Sequence, residues 1–146
     1  MTTNRLLTIA LASITLAACG GGTEQAADTA TTPAAAPAAT GQTPDPGGTI
    51  IPVDMITDDQ GNNRFEPATF EAKRGDVIRF KLVVGVHNVH FLPDSNPGVQ
   101  GLPPAGQMLQ APGQVEDVKV TWGPGSYYFQ CDPHALLGMV GRVTVK

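Results

Sequence analysis

The sequence has 146 residues, of which 15% are charged, and a formal net charge of -4. A nucleic-acid-binding protein needs a basic surface to neutralise phosphates, so this composition argues against that class of function and we expect no nucleic-acid partner. The first third of the chain differs so strongly in composition from the rest that one domain of ordinary size remains.

The chain begins with the pattern of an export signal. A short polar start that carries Arg5 precedes a mainly apolar run, Leu6 to Ala18, which is too short to span a bilayer comfortably. Its end, Leu16-Ala17-Ala18-Cys19, resembles the lipobox of bacterial lipoproteins, in which the peptide is cut before the cysteine and the sulfur receives a diacylglycerol. We therefore predict a signal peptide at residues 1–18 and lipidation at Cys19, with an ordinary signal peptide or an uncleaved anchor as the alternative.

The segment after this cysteine is predicted to be a tether between the lipid anchor and the folded domain. Gly20 rather than Asp follows Cys19, which in two-membrane bacteria leaves a lipoprotein free to move to the outer membrane. Residues 20–48 contain no Ile, Leu, Val, Met or aromatic residue, so they cannot bury a core. We expect an exported, periplasmic or cell-surface protein in which residues 19–48 are a disordered tether and residues 49–146 are the folded domain.

From about Thr49 the chain changes to short β-type runs separated by Gly, Pro, Asn and Asp clusters, the pattern of an all-β sandwich or barrel. Alternation is clearest in Val77 to Leu82, where Arg79 and Lys81 face away from Ile78, Phe80 and Leu82. Turns at Lys73–Asp76 and Trp122–Ser126 make hairpins plausible at both places. We predict about seven strands, at Ile50–Met55, Phe65–Ala72, Val77–Val84, Asn88–Leu92, Val115–Trp122, Ser126–Gln130 and Val140–Val145.

A long loop is predicted between two of these strands. Leu92 to Gly113 holds five prolines and four glycines, so it is too broken for a strand or a helix of any length. Loops this long in a compact domain are often functional, and a plain surface excursion is the alternative.

Three potential metal ligands lie close together near the end of the chain, in the motif C-x-x-H-x-x-x-x-M formed by Cys131, His134 and Met139. A thiolate, an imidazole and a thioether select copper over magnesium or calcium. Zinc is the main competitor, but a structural zinc site normally has four strong Cys and His ligands. If Cys19 is acylated, Cys131 has no disulfide partner within the chain, and metal ligation would protect its thiol.

A second imidazole must come from upstream, where His87 and His90 are the candidates. If Val89 and Phe91 point into the core, alternation places His87 on their face and His90 on the opposite one. We therefore predict His87 as the ligand and His90 as a surface or packing residue.

Gly85 to Phe91, taken together with Tyr127 to Val145, resembles plastocyanin and its close relatives. Those proteins carry a His-Asn pair upstream and a Cys-x-x-His-x-x-x-x-Met loop near the end. The resemblance covers roughly Phe65 to Lys146, and it implies a Greek-key cupredoxin fold with one type 1 (blue) copper ion that alternates between Cu(I) and Cu(II).

The resemblance also implies a role for each matching residue. His87, Cys131 and His134 would be the equatorial copper ligands and Met139 the weak axial one. Met108 in the long loop matches no family position and is a weaker rival for the axial place.

Other residues near the motif keep or depart from the family pattern. Asn88 would tie the two ligand segments together by hydrogen bonding, as its counterpart does in that family. The chain departs from the pattern at Asp132, where a small polar residue is usual, and at Leu136-Leu137. Both departures bear on the reduction potential and on the choice of partner.

These observations predict a one-electron carrier, not an enzyme. We expect a monomer, and the resemblance implies that it exchanges electrons through the edge of His134 with redox proteins such as a cytochrome c or a copper enzyme. A Cys-His hydrolase would need a base beside Cys131 and a substrate cleft, which nothing in the sequence suggests. Periplasmic copper delivery or storage is the main alternative, and a structural binding module is the third.

Overall fold

The computed structural model describes residues 41–146, which form a β-sandwich of two sheets. Its strands are β1 (Ile50–Thr57), β2 (Asn63–Glu66), β3 (Thr69–Ala72), β4 (Val77–Val84), β5 (Val115–Lys119), β6 (Gly125–Gln130) and β7 (Val140–Val145). Two short 3-10 helices, η1 (Pro93–Ser95) and η2 (Asp132–Leu137), complete the regular structure of this part of the chain. The prediction of an all-β domain with about seven strands is therefore confirmed.

Both sheets are mixed, and each contains one parallel pair of strands. One sheet has the strand order β2-β1-β4-β5, and the other has the order β3-β7-β6. The β1–β4 and β3–β7 pairs are parallel, whereas the other neighbours are antiparallel. Because β1 and β4 run in parallel, their carboxyl ends, at Thr57 and Val84, meet at the same edge of the sandwich.

Aromatic side chains fill the space between the sheets. Phe129 lies at the centre, with its ring centroid 4.9 Å from that of Phe65 and 5.3 Å from that of Phe80. In β4 the alternation is as predicted, since Phe80 is fully buried while the neighbouring Lys81 is exposed. Burial of large apolar side chains of this kind is the main force that stabilises such a domain.

Neither turn predicted as a hairpin joins neighbouring strands of one sheet. The turn at Lys73–Asp76 leads from β3 in the second sheet to β4 in the first, and the turn at Trp122–Ser126 leads from β5 in the first sheet to β6 in the second. Turn residues predict that the chain reverses direction, but they do not predict whether the next strand pairs with the previous one or crosses to the opposite sheet.

Two predicted strands differ from the structure. Phe65–Ala72 is divided at Pro67 into β2 and β3, which belong to different sheets, because proline has no N–H to continue a ladder. Asn88–Leu92 is not a strand, and this segment has only isolated bridges, from His87 to Leu109 and from His90 to Gln130.

Residues just before β1 contact the domain. The backbone N–H of Gln42 donates to a carboxylate oxygen of Asp117 over 2.9 Å, and the N–H of Asp45 donates to the carbonyl of Gly75 over 2.9 Å. Composition alone places both residues in the tether. The predicted signal peptide, Cys19 and most of the tether lie outside the described residues. Within residues 41–146, no helix is long and apolar enough to cross a membrane.

Candidate metal centre

Three of the predicted ligands meet at one end of the sandwich. Nδ1 of His87 lies 3.2 Å from Nδ1 of His134, and Sγ of Cys131 lies 3.7 Å and 3.4 Å from these two nitrogens. His87 and Cys131 are fully buried and His134 is half-buried. Cys131 and His134 are only three positions apart in the sequence, whereas His87 precedes them by 44 and 47 positions. The fold thus brings a distant residue to the C-terminal loop.

The size of this triangle fits a transition-metal ion. The circle through the three donor atoms has a radius of about 2.0 Å, close to the metal–nitrogen distances of about 2.0–2.1 Å and a little below the metal–sulfur distance of about 2.3 Å. Two imidazoles and a thiolate in a trigonal arrangement are the donor set of a type 1 copper site. The cofactor that this set fits is therefore copper.

Cys131 and His134 are held by a loop that closes on itself. The backbone N–H of His134 donates to the Cys131 carbonyl over 3.0 Å, and the N–H of Cys131 donates to the Met139 carbonyl over 3.1 Å. Between them, residues 132–137 form the helix η2, which starts with Pro133 near its first position and ends at Gly138 with φ of 92°. A left-handed residue ends a helix and turns the chain back, so Met139 returns beside Cys131.

The two methionine candidates differ in burial. Met139 is fully buried, and its backbone N–H donates to the His134 carbonyl over 3.1 Å. Met108 in the long loop is 41% exposed. A weak axial thioether needs a site shielded from water, so Met139 fits this role better than Met108 does.

Residues at the carboxyl ends of β1 and β4 hold the His87 ring. Nε2 of His87 lies 3.1 Å from the carbonyl oxygen of Val84 and 3.1 Å from Oγ1 of Thr57. Because a carbonyl can only accept, Nε2 carries the proton and Nδ1 is free to bind a metal. A Cβ at Gly85 would lie 2.6 Å from Nε2, so a glycine leaves the space that this ring occupies. Sequence reasoning missed Thr57, which no motif marks.

A hydrogen-bonded cluster joins the two ligand segments. The N–H of Asp132 donates to Oδ1 of Asn88 over 2.8 Å, and Nδ2 of Asn88 donates back to the Asp132 carboxylate over 2.9 Å. His90 and Gln130 also contact this carboxylate, over 3.1 Å and 3.0 Å. Asn88 therefore occupies the position between the segments that was expected of it, whereas the contact of His90 with Asp132 was not predicted, because alternation shows a face but not a partner.

Burial changes the protonation of the donor groups. It raises the pKa of the Cys131 thiol, and the nearby Asp132 charge acts in the same direction, against hydrogen bonds from the N–H groups of Asn88 and His134. Burial, together with the charge of His134, lowers the pKa of His87. The neutral thiol must lose its proton when a cation binds, so metal binding at this site releases a proton.

The surface next to His134 is apolar. Leu136 and Leu137 on η2 are 102% and 70% exposed, and Val86 and Met108 flank the bridge between His87 and Leu109 and are also exposed. We call the four side chains Leu136, Leu137, Val86 and Met108 the apolar rim. Each of the four lies within three positions of a predicted ligand or of its bridge partner Leu109, and exposed apolar patches are typical of protein-interaction sites.

Comparison with known proteins places the domain among copper proteins. Residues 53–146 match the family of copper binding proteins described as the plastocyanin/azurin family. The chain is 41% identical over 104 residues to a chloroplastic plastocyanin of Hordeum vulgare, with 68% of this chain and 66% of that protein covered. It is 43% identical over 91 residues to plastocyanin of Vicia faba, with 59% of this chain and 91% of that protein covered.

Solved structures show the same architecture. Oxidised plastocyanin from Dryopteris crassirhizoma superposes with a TM-score of 0.55 at 31% identity, covering 65% of this chain and 99% of that one. Pseudoazurin from Methylobacterium extorquens AM1 superposes with a TM-score of 0.51 at 32% identity, covering 66% and 74%. The residues of the family match, 53–146, include both ligand segments.

Proposed function

Because this chain belongs to the plastocyanin/azurin family of copper-binding proteins, we propose that it is a one-electron carrier in which His87, Cys131, His134 and Met139 hold one copper ion. The observation that carries this proposal is the convergence of the two imidazoles and the thiol within a triangle of 3.2–3.7 Å. Copper bound there would accept and release single electrons as Cu(II) and Cu(I). The protein's own part is to hold the ligands and to offer a path to the surface.

The ligand positions depend on backbone geometry more than on mobile side chains. Cys131, His134 and Met139 are linked by main-chain hydrogen bonds of 3.0–3.1 Å, and His87 is bridged through both its N–H and its carbonyl to Leu109. A site whose donors are held in this way changes little when its charge changes. A small change in geometry supports fast electron exchange, because little reorganisation accompanies each transfer.

His134 is the proposed exit for the electron. Its ring is half-buried, with the apolar rim around it, whereas the His87 ring is fully buried. A redox protein such as a cytochrome c or a copper enzyme would dock on the apolar rim and so approach the His134 edge. The interface would be small and short-lived, as befits a carrier, and we propose that the protein is a monomer.

We propose that the domain works outside the cytoplasm, held by a lipid at Cys19. The support is the lipobox and the Ala/Pro/Thr/Gly-rich residues that follow it. Mass spectrometry of the mature protein tests this: a chain that begins at Cys19 and carries a diacylglycerol is expected. An unmodified Cys19 would remove the anchor from the proposal without affecting the copper site.

Copper delivery or storage is the alternative, because the same donors could hand over Cu(I). Two stopped-flow measurements separate the functions: electron exchange between the copper-loaded protein and a small cytochrome c, and transfer of Cu(I) from the protein to a chelator. A carrier exchanges electrons rapidly and releases copper slowly. Slow electron exchange together with fast copper release would contradict the carrier and support delivery.

A further inference from the structure

Asp132 is the centre of a hydrogen-bond cluster beside the proposed copper ligands. Its carboxylate accepts from Nδ2 of Asn88 over 2.9 Å and from Nε2 of Gln130 over 3.0 Å, and it lies 3.1 Å from Nδ1 of His90. Asp132 directly follows Cys131, and Asn88 directly follows His87. The carboxylate is thus held next to both ligand segments at once.

No strong positive charge compensates this carboxylate. Among the residues that the structure describes, the sole ion-pair partner of Asp132 is His90, and no Lys or Arg nitrogen lies within 4.0 Å of it. Asn88 and Gln130 are neutral amides. His90 is a titratable group, so within residues 41–146 the Asp132 carboxylate has no hydrogen-bond partner with a permanent positive charge.

We propose that Asp132 is a positioning residue that sets the reduction potential: its carboxylate, held beside Cys131 by Asn88, Gln130 and His90, favours the oxidised site and so lowers the potential. This inference rests on the proposed copper-carrier function. Reduction adds one electron, supplied by the redox partner, and takes copper with its thiolate from a net charge of +1 to zero. A fixed negative charge nearby stabilises the positive form more than the neutral one.

The hydrogen bonds determine how strongly this charge acts. A carboxylate held in place on the residue that follows Cys131 acts in a partly buried setting, where the effective dielectric is lower than in bulk water. The side chain is 39% exposed, so water screens part of the effect. We therefore expect a moderate change, of about threefold to tenfold in the equilibrium constant for reduction.

The test is the reduction potential of the copper-loaded full-length protein at pH 8, for the wild type and for Asp132→Asn. The variant is expected to keep its blue absorption and to show a higher potential, with tenfold in the equilibrium constant equal to about 59 mV for one electron. Asp132→Ser removes the same charge with a smaller side chain and is expected to shift the potential in the same direction. It also keeps the test decisive if the asparagine variant fails to fold.

Two control variants test separately whether the effect on the potential depends on the position of the Asp132 carboxylate and on its charge. Asp45→Asn removes a carboxylate near Gly75, roughly 25 Å away along β4, and is expected to leave the potential unchanged. Asp132→Glu keeps the charge and is expected to stay within about twofold of the wild type in the same equilibrium constant. A rise for glutamate equal to that for asparagine would assign the effect to lost hydrogen bonds and overturn the inference.

The two proposals fail in different ways. A blue wild-type protein whose potential is the same as, or higher than, that of Asp132→Asn would overturn this inference and leave the carrier function intact. An equal shift for Asp45→Asn would also overturn it, by showing a general effect of net charge. A wild-type copper complex without blue absorption would overturn the carrier function and this inference together.

Discussion

Oγ1 of Thr57 lies 3.1 Å from Nε2 of His87 and 2.7 Å from Oδ1 of Asn63. The hydroxyl donates its proton to the Asn63 side chain, which leaves its oxygen free to accept from the imidazole N–H. Together with the Val84 carbonyl, this contact orients the ring so that Nδ1 faces Cys131 and His134. A residue that precedes His87 by 30 positions therefore helps to position it.

Thr57→Val is expected to weaken copper binding by about tenfold, because removal of a partner of a ligating imidazole typically costs about 10–100-fold in affinity and the Val84 carbonyl remains. Competition with a Cu(I) chelator measures the change. Thr57→Ser keeps the hydroxyl and is the matched control, expected to bind as the wild type does. Equal affinities for the valine and serine variants would contradict the role of the hydroxyl.

Asp76→Asn is expected to destabilise the domain by about 2 kcal/mol at neutral pH. Asp76 is buried and accepts from the N–H groups of Lys73 over 2.7 Å and Thr49 over 2.8 Å, and an amide cannot accept both equally well. Denaturant unfolding at pH 7 gives the difference in free energy. A loss smaller than about 0.5 kcal/mol would mean that these hydrogen bonds contribute little.

The stability that Asp76 contributes is expected to depend on pH. Burial acts to raise the pKa of Asp76, but the hydrogen bonds outweigh it, so the pKa lies below its usual value of 3.8. A lowered pKa in the folded state adds stability above pH 3.8, and this stability is lost as the pH falls through the folded pKa. The melting temperatures of wild type and Asp76→Asn should therefore converge once the pH falls below the folded-state pKa of Asp76. A gap that stays constant down to pH 2 would contradict this assignment.

Gly141→Ala is expected to destabilise the domain by about 3 kcal/mol, because a new methyl group would overlap the ring of Phe129 and lie 2.7 Å from the Ala68 carbonyl. Thermal unfolding of the metal-free protein measures it. Gly123→Ala is the matched control, since a methyl group there meets nothing within 4 Å and should change stability by less than about 0.5 kcal/mol. Similar losses for both variants would show that overlap with the core is not the cause.

Leu136→Lys is expected to slow electron exchange with a cytochrome c by about tenfold, which corresponds to about 1.4 kcal/mol of docking free energy. The side chain is fully exposed, so unfolding should be unaffected. Ile50→Lys is the control: Ile50 is 43% exposed but lies at the far end of β1 from Thr57. Equal rates for the Leu136 variant and the wild type would exclude this side chain from the docking surface.

The sequence predicted the parts of the fold that depend on local pattern. Apolar alternation located β4, a short β-type run located β7, and the spacing of Cys131 and His134 predicted two donors on one loop. The division of Phe65–Ala72 at Pro67 was not predicted, although the proline is a local signal that a strand ends; the assignment of the two halves to different sheets depends on tertiary pairing. Both turns failed as hairpins for the same reason.

In the candidate site, too, local sequence pattern predicted some features and contacts between distant residues determined the others. His87 was chosen over His90 from the side-chain direction of Val89 and Phe91, and the structure buries His87 while it leaves His90 a quarter exposed. This segment is not a strand, but two isolated bridges, His87–Leu109 and His90–Gln130, hold its backbone so that the two histidines face opposite ways. The contacts of Thr57 with His87 and of His90 with Asp132 join distant residues, and no local pattern encodes them.

The visible absorption spectrum of the purified, Cu(II)-loaded protein, recorded for the wild type and for Cys131→Ser, tests the copper–thiolate bond most directly. We expect an intense blue band that disappears reversibly when the wild-type protein is reduced, and that is absent from the serine variant at any copper concentration. A colourless wild-type complex, or a blue band that persists in Cys131→Ser, would contradict the assignment of this sulfur as the copper ligand.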